Sequence, residues 1–115
     1  MARLLLLTVL AVLATLAACD DDCYTKQDGI AVYSGTKSET ASGKPCQAWS
    51  SQSPNEHPYD PSDFDVTNGA PNLGFTGAGN YCRDPSGGGM PSLGYLWCYT
   101  ADQPGWETCM VPKCS

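Results

Sequence analysis

His57 is the only histidine in the chain, and it stands in a proline-flanked run, Glu56-His57-Pro58. A hydrolase built on serine, histidine and aspartate needs its nucleophile on a strained turn, and no Gly-x-Ser-x-Gly or comparable context is present. The most closely clustered carboxylates are Asp60, Asp63 and Asp65 in DPSDFD. They could act as paired acids in glycoside hydrolysis or as hard oxygen ligands for calcium. Their spacing fits no calcium-loop pattern. The surrounding segment, broken by Pro54, Pro58, Pro61 and Pro71, is no scaffold for two opposed acids across a cleft. A solvated loop is the plainer expectation. The residues therefore predict no enzyme: no catalytic residue, no metal site and no cofactor.

Cysteine carries the remaining chemistry. Seven are present, at positions 19, 23, 46, 82, 98, 109 and 114. There is no Cys-x-x-Cys and a single histidine, which argues against zinc. In an oxidising compartment the cysteines are expected to pair. An odd count leaves one over, and Cys19 is the natural outlier. Six cysteines allow fifteen connectivities, and spacing does not choose among them. The bonds matter because large aliphatic residues are few between Cys23 and Cys114: Ile30, Val32, Val66, Leu73, Leu93, Leu96 and Val111, with Met90 and Met110. A segment this small and apolar-poor needs covalent ties to fold. Each tie contributes about 2–4 kcal/mol.

The elements that must position these groups lie after residue 19. Arg3, the apolar run Leu4 to Leu16 and the small Ala17 and Ala18 read as a secretory signal, 1–19, with an apolar run shorter than a membrane span needs. Two readings of its end stand level. Thr15 with Ala17, or Ala17 with Cys19, suits general cleavage. Leu16-Ala17-Ala18-Cys19 instead resembles a bacterial lipobox, which would put lipid on Cys19 and give a membrane-anchored lipoprotein rather than a secreted protein. Residues 20–22 are an acidic lead-in. The formal charge of −6 becomes more negative when Arg3 is removed, and an acidic module disfavours nucleic acid and anionic membrane surfaces as partners. Residues 23–45 read as turns and short extended pieces, with a strand at Ile30, Val32 and Tyr33. Trp49 reads as core. Residues 51–79 read as loop, because no window there carries a helical period.

Taken together, the cysteines and their neighbours resemble a kringle domain over Cys23 to Cys114. The matching pieces are CYTKQDG at 23–29, YSGT at 33–36, TASGKPCQAWS at 40–50, NYCRDP at 80–85, WCYT at 97–100, WETC at 106–109 and the closing PKC. The resemblance implies one domain, 23–114, of the small disulfide-rich class: mostly loops with a few short antiparallel β pieces and three disulfides. It implies the pairs Cys23–Cys114, Cys46–Cys98 and Cys82–Cys109, the last two crossing, with Trp49 and Tyr81 packed near them.

The resemblance also implies a site. Many kringles bind lysine, holding its ammonium with two acids that follow the NYCRNP motif. Aromatics flank the stem, and a base before the last tryptophan holds the carboxylate. Here Trp97, Tyr99 and Trp106 occupy the aromatic positions. The acid positions fall on Ser86 and Gly88, within a glycine run that composition makes mobile, and the basic position on Gly105. Asp84 and Asp102 are the nearest acids that could substitute. A longer insert, Met90 to Tyr95, precedes Trp97. Charge-assisted hydrogen bonds contribute about 1.5–3 kcal/mol each, so lysine binding is expected to be weak or absent. The expected function is a non-catalytic extracytoplasmic module binding an unknown protein or peptide through Trp97, Tyr99 and Trp106. The alternative is a stapled structural or surface protein with no specific ligand. Oligomeric state is left open.

Overall fold

The computed structural model describes residues 22–102 and 104–115; the signal segment, Cys19 and most of the acidic lead-in lie outside the described residues. Regular structure is sparse. Strands β1 (Thr25–Gln27) and β2 (Ile30–Val32) form an antiparallel hairpin, with Lys26 opposite Ala31. Its turn is Asp28-Gly29, both at positive φ of 52° and 83°, the geometry that Asp-Gly favours because it matches strand twist. Tyr33 leaves the strand, and its amide instead donates to the Thr67 carbonyl at 2.9 Å.

Residues 51–79 hold two short helical pieces that the sequence does not reveal: a 3-10 turn, Pro61–Phe64, and a helix α1, Gly74–Ala78. Elements of four and five residues are shorter than the window in which a period can be seen. Tertiary contacts stabilise both. Pro61 opens the 3-10 turn, where its fixed φ suits the first helical position, and the Asp60 amide donates to Asp63 Oδ2 at 2.8 Å. Carbonyls of α1 are capped by side chains from elsewhere: Asn68 Nδ2 donates to Gly74 O and Arg83 Nη2 to Gly77 O.

Strands β3 (Trp97–Tyr99) and β4 (Trp106–Thr108) form a second antiparallel pair. The disulfides join Cys23 to Cys114, Cys46 to Cys98 and Cys82 to Cys109. The four sulfurs of the two inner bonds lie within 4.8 Å of one another, so the ties cross at the centre.

Trp49 is the hub of the core. It is buried, its amide donates to Gly79 O at 2.8 Å, and its indole Nε1 donates to Tyr81 O at 2.7 Å. Five rings surround it at centroid distances from 4.9 to 6.2 Å: Phe64, Trp97, Tyr99, Tyr59 and His57. Edge and tilted contacts of this kind add to area burial, so aromatic rings replace the aliphatic core that the composition denies.

Candidate functional site: an uncharged aromatic cleft

Side chains alternate across a strand, so Trp97 and Tyr99 of β3 share one face and Cys98 points to the other. Trp106 of β4 is the cross-strand partner of Tyr99 and joins the same face. The three rings meet edge to face, Trp97 to Tyr99 at 4.9 Å and Trp97 to Trp106 at 5.9 Å. They form one side of a cleft of about 230 Å3, completed by Tyr59, Met90, Pro91 and Leu93. Among the described residues, none that lines the cleft carries a charge at neutral pH.

The three predicted aromatics are brought together, but not equally exposed. Trp97 is only 4 % exposed and forms the floor, Tyr99 is half-buried, and Trp106 is 39 % exposed at the rim. Trp49 contacts Trp97 from the core side, so Trp97 belongs to the framework as well as to the aromatic face. The Trp97 indole Nε1 is buried with no acceptor among the described residues. Tyr59, Met90, Pro91 and Leu93 were not legible as site residues. The signal that could have found the last three is the apolar character of the insert Met90 to Tyr95 among otherwise polar loops.

The cleft's electrostatics follow from burial. Burial pushes the Tyr59 phenol up to about 12, assisted by Tyr99, Asp84 and Asp63 nearby. Burial likewise raises Tyr99. Both rings stay neutral hydroxyl-bearing walls through the physiological range.

The positions that carry charge in lysine-binding kringles are occupied by backbone turns. Gly87 and Met90 exchange both main-chain hydrogen bonds at 2.8 and 2.9 Å, closing a two-residue turn through Gly88 and Gly89 at φ of 58° and 83°. The glycine run thus forms a defined turn. A Cβ on Gly87 would overlap the Asp63 carboxylate, and one on Gly88 would stand 2.7 Å from Pro58 O. Gly105 is buried at φ 100°, and a Cβ there would meet Asn55 Oδ1 at 2.9 Å. Neither substitute acid lines the cleft. Asp84 is fully buried, its carboxylate taken up by three backbone amides. Asp102 uses its backbone carbonyl to accept from Gly105 N and Thr100 Oγ1.

The groups considered for catalysis serve the fold. His57 is buried, its Nε2 donates to Trp49 O at 2.7 Å, and its Nδ1 accepts from Tyr59 N at 3.2 Å. Asp63 and Asp65 accept local backbone amides, those of Asp60 and Asn72. The four inner cysteines, close enough for a metal, are consumed in disulfides.

Two crossing inner disulfides, an outer one joining the ends and an aromatic face on the last β pair define a kringle, and the chain belongs to that family: its model, Kringle domain, matches residues 23–114. Kringles are non-catalytic binding modules. Among relatives, the chain is 39 % identical over 103 residues to plasminogen of Capra hircus, covering 86 % of this chain and 72 % of that protein. It is also 39 % identical over 84 residues to the putative apolipoprotein(a)-like protein 2 of Homo sapiens, covering 72 % of this chain and 54 % of that one. The matched region is thus about half the length of the second relative.

Proposed function

We propose that this kringle acts outside the cytoplasm as a module that binds a protein or peptide through the cleft of Tyr59, Met90, Leu93, Trp97, Tyr99 and Trp106, with lysine recognition weak or absent. One observation carries the reading: among the described residues the cleft offers seven that are apolar or aromatic and no charged one. Losing both the anionic and the cationic hold lowers affinity for a zwitterionic ligand by roughly two to four decades. What remains favours an uncharged apolar or aromatic side chain. Tryptophan and tyrosine are over-represented where binding energy concentrates, and methionine is enriched in interfaces. Three disulfides fit an oxidising compartment.

The test is a displayed peptide library selected on the intact domain and on Trp106→Ala, which changes a rim residue. Peptides rich in apolar and aromatic residues that lose about tenfold or more in affinity on Trp106→Ala support the reading. Equal selection on both overturns the cleft. Saturation of the tryptophan fluorescence change by 6-aminohexanoic acid in the micromolar range overturns the exclusion of lysine. Mass spectrometry of the mature N-terminus separates cleavage from acylation at Cys19, and so a secreted module from an anchored one.

A further inference from the structure

We propose that Asp84 is the positioning residue of the cleft: its buried carboxylate holds the segment that forms the cleft's outer wall, a task a carboxamide cannot perform. The inference rests on the reading of the cleft as the binding surface.

The wall residues Met90, Pro91 and Leu93 belong to an insert with little structure of its own. Met90 is held by its turn with Gly87, and Leu96 O accepts from Cys109 N. From Pro91 to Tyr95, the hydrogen bonds among the described residues are two, and both end on Asp84: Leu93 N donates to Oδ1 at 2.8 Å and Gly94 N to Oδ2 at 3.0 Å. Leu93 and Met90 are themselves 42 % and 48 % exposed, so packing alone holds them weakly. Asp84 in turn is fixed. Oδ2 also accepts from Ala31 N of β2 at 2.9 Å, and the Asp84 amide donates to Thr67 Oγ1, which donates to Ala31 O. The carboxylate therefore ties the wall to the β1–β2 hairpin.

Three amide donors converge on both oxygens, which an ionised carboxylate can satisfy and a carboxamide cannot, because an amide presents one acceptor and a hydrogen-bearing nitrogen. Burial raises the Asp84 carboxyl above the ordinary aspartate range, opposed by the three amides and by Lys26. In Asp84→Asn, the oxygen belongs on the side with two donors, Ala31 and Gly94. The side-chain nitrogen then faces the Leu93 amide, leaving Leu93 without an acceptor.

The experiment is NMR on the disulfide-intact domain. In the wild type, trans-hydrogen-bond scalar couplings should connect the Leu93, Gly94 and Ala31 nitrogens to the Asp84 carboxyl carbon. In Asp84→Asn, the Leu93 amide should exchange roughly tenfold faster or more, Ala31 and Gly94 much less. The chemical shifts of the Leu93 methyls, which line the cleft together with the Trp97 and Trp106 rings, should change, and the cleft should lose affinity for p-cresol as a neutral aromatic probe. Absence of the wild-type couplings to Leu93 and Gly94 overturns the proposal whether or not the variant folds. So does a variant whose Leu93 exchange and methyl shifts match the wild type. The couplings and exchange are read without any ligand. A wild type with all three couplings that does not bind p-cresol refutes the positioning role by removing the cleft on which it rests.

Discussion

The His57 imidazole lies nearly parallel to the Tyr99 ring, centroids 5.7 Å apart and planes 12° from coplanar, while its Nε2 donates to the Trp49 carbonyl at 2.7 Å. The one histidine thus braces the cleft from behind and links it to the central tryptophan. Replacing it with alanine removes a stacked ring, orphans the Trp49 carbonyl and leaves the Tyr59 amide without its acceptor. His57→Ala is expected to destabilise the domain by about 3 kcal/mol, measured by denaturant unfolding with the disulfides intact. A loss within experimental error would show that the brace carries no energy.

Restoring the charged positions is not expected to restore lysine binding. Gly88 has φ 58° and stands against Pro58 O, and Gly105 has φ 100° and stands against Asn55. A side chain at such a left-handed position costs about 1–2 kcal/mol in backbone strain alone. The double substitution Gly88→Asp with Gly105→Arg should therefore lower stability by about 2–4 kcal/mol, with no saturable fluorescence response to 6-aminohexanoic acid. A stable variant that binds the ligand would show that the turns adapt and that the lost charges are the only barrier.

Arg83 is a further point of high cost. It is buried, and its guanidinium donates to four oxygens, Asn68 Oδ1 and the carbonyls of Gly35, Gly77 and Cys82. It also sits 5.4 Å from the Tyr33 ring centroid and 5.5 Å from that of Tyr81. Burial pulls its pKa down to about 10, which leaves it charged at neutral pH. Lysine cannot reproduce the planar fork. Arg83→Lys should lose about 2–4 kcal/mol, and the amides of α1, whose Gly77 carbonyl it caps, should exchange fastest. Unchanged protection there would place the stabilisation elsewhere.

What could be read in the sequence divides by interaction range. The Asp28-Gly29 turn is local chemistry, and the strand at Ile30 to Val32 follows from it. The motif NYCRDP, with WCYT and WETC, carried the family and with it the disulfide pattern that spacing alone left open among fifteen choices. The direction in which a buried polar side chain points is not local. Asp84 reads as an acid available to a ligand, and the fold turns it inward to meet amides nine and ten residues away. Arg83 reads as one letter of a motif and proves to be a hub. Trp97 was legible as part of an aromatic face, while its depth depends on Trp49 behind it. The helix α1 escaped because its five residues are held by Arg83 and Asn68, not by an amphipathic period.

The alkaline limb of stability should report the cleft wall. Burial first, then the neighbouring Tyr99, Asp84 and Asp63, pushes the Tyr59 phenol from 10 up to about 12. In the unfolded chain the same phenol ionises near its ordinary value. Between pH 10 and about pH 12 the folded state therefore holds a proton that the unfolded state has released. Stability falls with rising pH wherever the folded state binds more protons, so this contribution is complete below pH 10 and is lost across that window. Tyr33 and Tyr99, also raised by burial, act with the same sign. Tyr59→Phe removes the titrating group while keeping the ring, and should flatten the decline without abolishing it. Near-ultraviolet absorbance of tyrosinate, followed with circular dichroism soon after each pH jump, reads both quantities. If Tyr59 titrates at its ordinary value while the domain is still folded, the ring is wet, and the closed, apolar character of this side of the cleft is refuted.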